Sequence, residues 1–188
     1  MPRAATPPPP PALQHYRARR DFQHTPEPDG SAAPAADGLR FVVQEHHARR
    51  LHHDFRLELD GVLLSWAVPK GPSLDPTDKR MAVRTEDHPL AYAGFEGRIP
   101  AQQYGAGEVI VWDRGHWQPL GDPHAGLAQG KLGFELQGHK LRGRWELVRM
   151  HKPGERQELW LLLKQRDAEA RPKAAYDVLR AQPGSVLQ

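Results

Sequence analysis

One hairpin constrains this chain more than any other feature. From Leu51 to Leu59 it reads LHHDFRLEL, with Leu51, Phe55, Leu57 and Leu59 apolar at odd positions and His52, Asp54, Arg56 and Glu58 polar at even ones. Successive side chains of a strand point to opposite faces, so this period of two predicts a half-buried strand with His52, Asp54 and Arg56 side by side on its polar face. Asp60-Gly61 follows, the pair favoured in two-residue turns, and Val62 to Val68 (VLLSWAV) reads as the returning strand. His46 lies six residues before His52 and reaches the same point if the chain loops back between them. Two histidines and an aspartate suit Zn, Mn or Fe. The arginine next along the face has the planar fork that grips a phosphate through two bonds. A metal ion beside an arginine is what phosphoester chemistry requires.

The remaining chain continues in β. Strand-like runs cover Phe41 to Gln44, Arg80 to Thr85, Glu108 to Asp113, Lys131 to Leu136, Leu141 to Met150 and Glu158 to Lys164. Glu86 to Pro89 ends the Arg80 strand, Gly94 to Gly107 reads as a glycine-rich loop, and Pro153-Gly154 sits in the turn between the last two strands. Roughly seven strands with few helical patterns predict a mainly β single domain, an antiparallel barrel-like fold with short helices and a mobile N-terminal arm. The expected boundaries are a disordered proline-rich arm over 1–15, the barrel over 16–164, and a polar tail or linker over 165–188 with one short helix near Ala174 to Ala181. Ser31 to Asp37, small and Pro/Ala-rich, reads as a loop. The sequence has no cysteine, so thiolate sites and disulfides are excluded and any metal must rest on carboxylates and the 11 histidines. No apolar run reaches the length of a membrane span, and MPRAATPPPPP lacks the apolar core of a signal peptide, so the expectation is a cytoplasmic location without membrane contact. A net charge of +3, with clusters at Arg17-Ala-Arg19-Arg20 and Arg49-Arg50, suits a polyanionic partner.

Two longer stretches, FVVQEHHARRLHHDFRLELDGVLLSWAVPKGPS and DKRMAVRTEDHPLAYAGFEGRIPAQQYGAGEVIVWDRG, closely resemble the 3′-phosphoesterase module of bacterial DNA ligase D, an enzyme of non-homologous end joining. The resemblance runs from about Tyr16 to about Lys164 and fits a stand-alone protein and a module of a larger ligase alike. It implies a barrel-like β fold and a Mn-dependent hydrolase that trims DNA 3′ ends in double-strand break repair. Such an enzyme removes a terminal ribonucleoside to leave a 3′-phosphate, then removes that phosphate to leave a 3′-hydroxyl. The family's metal ligands fall on His46, His52 and Asp54, with Mn2+ as the implied cofactor and Zn2+ or Co2+ as alternatives. Its phosphate-contacting groups match Arg56, Arg80, His88 and Tyr92, with Lys70 and Glu86 beside them. The upstream RRDFQHTPEP resembles an element needed for ribonucleoside removal and maps onto Arg20, Asp21 and Glu27. The implied substrates are DNA 3′ ends and primer-templates with terminal ribonucleotides. The implied partners are ligase or polymerase repair proteins, and the implied location is the bacterial nucleoid.

Each of these residues also has a plainer reading. His-x5-His alone is a weak metal signature. By strand parity His53 points away from His52, and His47 only neighbours the matched position, so both are expected to pack or face solvent. Arg56 on its own reads equally as a surface partner of Glu58 or Glu45, a pairing worth little. His88 shapes the turn before Pro89 in the plain reading; in the functional one it donates to a phosphoryl oxygen or acts as an acid near neutral pH. Tyr92 reads as core or as a phosphate donor. Lys70 is presented by a Pro-Lys-Gly-Pro loop, in a motif unlike that of ligase adenylation. QYGAGEV lacks the Lys-Ser/Thr pair and helix of a phosphate loop and reads as a tight turn. Two other functions fit parts of the pattern: a non-catalytic end-binding module, and an iron oxygenase built on the same two histidines and carboxylate.

Overall fold

The computed structural model describes residues 11–31, 38–151 and 156–188. Residues 1–10 of the arm expected over 1–15, most of the expected Ser31 to Asp37 loop and the expected Pro153-Gly154 turn lie outside the described residues.

Among the described residues, nine antiparallel strands make up the sheet: β1 (Arg40–His47), β2 (Leu51–Leu59), β3 (Val62–Val68), β4 (Arg80–Pro89), β5 (Gly97–Ile99), β6 (Gly107–Pro119), β7 (Lys131–Gly138), β8 (Arg142–Met150) and β9 (Leu159–Lys164). They lie in the order β1-β2-β3-β4-β9-β8-β7-β6-β5, and β6 also pairs with β1. That last pairing closes a barrel of all the strands except β5, which hangs as a short flap on one end of β6. Closure removes the sheet edges that would otherwise invite association. The β2–β3 hairpin turns at Asp60 and Gly61, whose φ values of 54° and 80° are both positive, as a type I′ turn requires.

Strand parity decides where each residue goes. Phe55 and Leu57 point into the barrel and pack with Phe41, Trp66, Trp112, Phe134, Trp145 and Trp160, all of them buried. The opposite faces of β1, β3 and β6 carry a second apolar layer outside the wall. It consists of Val42, Leu63, Val109 and Val111 with Tyr16, Tyr92, Phe95 and Ile99. Tyr92 stands on a 3-10 turn (Leu90–Gly94), and Tyr16 on helix α1 (Gln14–Ala18), which continues a 3-10 turn at Pro11–Leu13. The polar face of β2 is therefore roofed by an added layer, which leaves Arg56 only 3% exposed.

Four expectations are corrected. Residues 11–15 are helical, with Leu13 buried in the barrel cluster, because its apolar side chain gains by leaving water. The expected glycine-rich loop contains β5, whose three residues are too few to show a pattern. Helix α2 (Pro123–Gln129), capped by Asp122 and ended by Gly130 at φ 80°, was not foreseen. The segment after Lys164 is docked, not a free tail. Val178 of helix α3 (Val178–Ala181) is buried in the core, Arg171 N bonds Leu74 O at 3.0 Å and Val186 N bonds Val111 O at 2.9 Å. A few apolar side chains and backbone bonds suffice to anchor a segment that is polar on average.

Candidate active site

The polar face of β2 and the facing end of β1 hold a cluster of metal-ligating groups. Register places His46 directly opposite His52, and Gln44 opposite Asp54. The ligand atoms of His46, His52 and Asp54 all lie within 4.8 Å of one another. His46 Nδ1 stands 3.5 Å from Asp54 Oδ2, and His52 Nε2 3.2 Å from the same oxygen. The other ring nitrogens meet backbone carbonyls, His46 Nε2 with Gly105 O at 2.6 Å and His52 Nδ1 with Arg50 O at 3.2 Å. A carbonyl only accepts, so each ring keeps a proton on that nitrogen, and the nitrogen facing Asp54 is the one that would give up its proton to a metal. That outer arrangement is how metal-bound imidazoles are oriented, and the donor set fits a divalent transition metal. Gly105 holds its carbonyl in place at φ 75°, in the left-handed region. Burial works to raise the Asp54 pKa, but Arg56 and the two imidazoles hold it well below the usual carboxylate range. Burial opposes a proton on His52, yet the Asp54 carboxylate outweighs it and raises that pKa.

Arg56 is locked beside the cluster. Its Nε donates to Gln44 Oε1 at 2.7 Å and Nη1 to Ser65 Oγ at 2.8 Å, which leaves Nη2 at 3.5 Å from Asp54. The guanidinium lies over the Tyr92 ring, 4.9 Å from its centroid. A cavity of about 310 Å³ opens here, lined among others by Arg20, His46, His52, Asp54, Arg56 and His88.

The segment around α1 supplies the near wall through a buried ionic network. Arg20 bonds Glu27 at 2.9 Å and Glu86 at 2.8 Å, and Tyr92 Oη donates to Glu27 Oε2 at 2.8 Å. His88 Nδ1 donates to Glu86 O at 2.9 Å, so Nε2 is the free acceptor, 3.5 Å from Arg20 Nη2. Burial, followed by the charges of Arg56 and Arg20, pushes the His88 pKa well below its ordinary value. The ring is neutral in the free protein, where the sequence suggested one titrating near neutral pH. Burial and Glu27 push Tyr92 well above its usual value, so its hydroxyl keeps its proton.

The structure thus gathers His46, His52, Asp54, Arg56, Glu86, His88, Tyr92, Arg20 and Glu27 at one place, and three expected residues stay away. Arg80 pairs with Leu162 on the inward face of the wall and reaches Asp78 at 3.5 Å. It does not converge with Arg56, because Thr85, across from Ser65 and Arg56, faces out and Arg80, five residues away, faces in; the β3–β4 register then slips between Ser65 and Leu63. The extra residue on β4 shifts parity, so Thr85 and His88 both face outward while Arg80 faces in. Lys70 is exposed on its turn and does not line the cavity. Asp21 is exposed too; its carboxylate takes the His24 ring at 2.6 Å and Gln23 N at 3.0 Å, shaping the turn that leads to Glu27. His53 packs edge-on against Trp112 with centroids 5.5 Å apart, where burial lowers its pKa to about 4, and His47 is half exposed beside Glu45. Sequence reasoning missed Gln44, Ser65 and Gly105, which hold the site in place. It also missed Tyr104, half exposed at the cavity rim with its hydroxyl 2.9 Å from Arg19 Nη1. The QYGAGEV stretch was read only as a turn; the exposed aromatic within it was the available signal.

Comparison with known proteins places this geometry in context. The domain described as DNA Ligase D 3′-phosphoesterase domain matches residues 44–149, which include His46, His52, Asp54, Arg56, His88 and Tyr92. The chain is 58% identical over 178 residues to the multifunctional non-homologous end joining protein LigD of Pseudomonas aeruginosa, covering 93% of this chain and 21% of that protein. It is 50% identical over 141 residues to the multifunctional non-homologous end joining DNA repair protein LigD of Mycobacterium tuberculosis, covering 73% and 18%. It is 40% identical over 186 residues to the LigD protein of Mycolicibacterium smegmatis, covering 94% and 23%. The chain therefore spans about a fifth of the length of these relatives.

Proposed function

The chain belongs to the DNA ligase D 3′-phosphoesterase domain family, and on that premise we propose that it is a metal-dependent hydrolase of DNA 3′ ends in non-homologous end joining. It releases a terminal ribonucleoside as a 3′-phosphodiesterase and then clears the remaining phosphate as a 3′-phosphomonoesterase. The observation that carries this reading is the pair of imidazoles, each with its tautomer set by a carbonyl, converging on one ionised carboxylate next to a clamped arginine. A module that only bound DNA ends would gain nothing from orienting three ligands this way.

His46, His52 and Asp54 would hold the ion, with Mn2+ as the favoured occupant and Zn2+ or Co2+ compatible with the same donors. When bound, such an ion supplies Lewis acidity towards a phosphoryl oxygen. Arg56, fixed by Gln44 and Ser65, stabilises equatorial negative charge without reorganising. His88 stands between two arginines that oppose its protonation. A phosphate dianion in the cavity offsets both, so the ring gains a proton as substrate binds and donates it to a phosphoryl or leaving oxygen. Arg20, Glu27 and Tyr92 present the outer wall to the terminal sugar and serve the ribonucleoside step. The substrates are DNA 3′ ends, including primer-templates with terminal ribonucleotides, in the bacterial cytoplasm at the nucleoid, and the functional partners are ligase and polymerase activities. Among the described residues no helix is long and apolar enough to cross a membrane.

The test strips the protein with a chelator and assays it on a primer-template ending in a 3′-phosphate. Activity is expected to vanish, to return with Mn2+, and to stay absent in His52→Ala whichever divalent ion is added. Turnover that survives chelation would overturn the metal dependence, normal turnover by His52→Ala would overturn the ligand assignment, and no turnover with any divalent ion would leave an end-binding module as the better reading.

A further inference from the structure

A second cationic surface lies on the same outer face of the barrel and takes no part in the chemistry above. Register runs Arg56 of β2 across to Val42 of β1 and on to Arg114 of β6. The next row runs Arg40, His116, Gln137 and Arg142 across β1, β6, β7 and β8. Residues paired in this way share a face, so the catalytic arginine and this row look out from one side of the wall. A cavity of about 520 Å³, larger than the metal cavity, is lined by Arg40, Arg114, His116, His139 and Arg142, and no carboxylate lines it among the described residues.

These cations are short of partners. Among the described residues neither Arg114 nor Arg142 forms an ion pair within 4.0 Å, and Arg142 Nε donates only to Gly138 O at 3.1 Å, which aims its fork. Arg40 Nε is taken by Glu58 at 2.9 Å, but its Nη2 is closed from solvent and has no hydrogen-bond partner. Glu96, the carboxylate that feels the charge of Arg114, is occupied by Val111 N, Ser185 and Gln188. Glu58 pairs with Arg40 and Glu135 lies in the adjoining pocket, but the cavity itself is lined by cations without a carboxylate among the described residues.

We propose that this row grips the sugar–phosphate backbone of the DNA behind the processed 3′ end. The inference rests on the reading that the metal cavity receives that end. Spacing favours a repeating polyanion over a single phosphate or a folded acidic protein. Two strand spacings separate Arg56 from Arg114, about 10 Å, and three separate Arg40 from Arg142, about 14 Å. With base pairs rising about 3.4 Å each, these spans match roughly three and four steps of duplex. Contacts from such a row to phosphates contribute affinity and register without sequence preference.

The experiment measures binding by fluorescence anisotropy in chelator, with a labelled duplex of about 20 base pairs carrying a 3′-phosphate, across about 50 to 200 mM salt. The probes are wild type, the double variant Arg114→Gln/Arg142→Gln, its charge-reversed form Arg114→Glu/Arg142→Glu, and Arg180→Glu, the same reversal on an exposed side chain of α3. The neutral double variant is expected to bind about tenfold more weakly at the lowest salt, with the slope of log affinity against log salt reduced by about two. The charge-reversed form should bind more weakly still, and Arg180→Glu should match wild type. An unchanged slope in variants that melt normally overturns the proposal. So does an equal loss from Arg180→Glu, which would make the effect one of net charge. Stronger competition by polyglutamate than by unlabelled duplex would assign the row to an acidic protein and overturn it too. Because no turnover is read, failure of the wild type to hydrolyse any 3′ end would sink the proposed function while the slopes still decide the row.

Discussion

At the scale of single residues, the site works through paired instructions to each ring. His46 and His52 each give one nitrogen to a backbone carbonyl and the other to the common point at Asp54. Substitution of a ligand is therefore expected to remove metal. His88 is different: its Nδ1 is spent on Glu86 O, and its Nε2 lies 3.5 Å from Arg20 Nη2 and outside the group of ligand atoms. His88→Ala is expected to lower the rate by roughly 10²–10⁴-fold, the usual range for a positioned acid or base, with metal content unchanged. Metal analysis beside single-turnover rates checks this. Loss of metal would make His88 a ligand, and an unchanged rate would reduce it to a prop for the turn before Pro89.

At the scale of elements, the strand that holds the candidate site is ordinary and its surroundings are not. β2 has an apolar inner face and a polar outer face, as many antiparallel strands do. The Leu90–Gly94 turn, β5 and α1 cover that outer face and convert a solvated row into a desolvated site. The segment after β9 is stapled in a comparable way. Lys164 is fully buried and donates to Asp167 at 2.7 Å, and to the carbonyls of Arg144 and Gln165 at 3.0 Å each, while Arg144 N reaches Asp167 at 2.8 Å. Asp167→Asn is expected to cost roughly 3 kcal/mol, the low end for breaking a buried ion pair, because the lysine charge loses its counter-charge. Burial works to raise the Asp167 pKa, but the Arg144 amide and Lys164 lower it overall. A carboxylate depressed on folding adds stability above its unfolded pKa, about 3.9, and that contribution fades as pH falls through the folded value. Denaturant melts should therefore show the gap between wild type and Asp167→Asn wide at neutral pH and narrowing below about pH 4. A gap independent of acid would mean that Asp167 acts through the shape of its turn alone.

At the scale of the molecule, the barrel and its outer layer are separable in principle. The inner cluster is built mostly of strand residues and, among the described residues, draws only Leu13 from the N-terminal segment, whereas Tyr16, Arg20 and Glu27 all belong to the cover. A protein beginning at Gly38 is expected to melt cooperatively at a lower temperature, as burial of Leu13 and Tyr16 is lost. It should also lose ribonucleoside release far more than removal of a 3′-phosphate, since His46, His52, Asp54 and Arg56 lie wholly within the barrel strands. Parallel assays on ribonucleoside-ended and phosphate-ended primers decide this. Equal loss of both activities would make the segment a structural lid rather than a part of the sugar site.

Several features were determined by sequence alone because they are local. Period two placed Phe55 and Leu57 on the face opposite Asp54 and Arg56, and Asp60-Gly61 dictated a turn with two positive φ values. The match of residues to a known motif singled out His46, whose link to His52 no spacing rule reveals; the pairing of β1 with β2 supplies it. Arg80 shows where locality ends. Arg80 and His88 share parity along the chain, yet one extra residue in β4 sends them to opposite sides of the wall. Lys70 and Asp21 lie close in sequence to site residues, but their turns point outward, and nothing in their own residue types records that. Gln44, Ser65 and Gly105 look unremarkable in the chain, because each acts through a partner brought to it by strand pairing or by a loop folding back. Side-chain alternation is a property of one strand; which face becomes a buried site depends on closure, bulges and cover, which only the assembled tertiary structure decides.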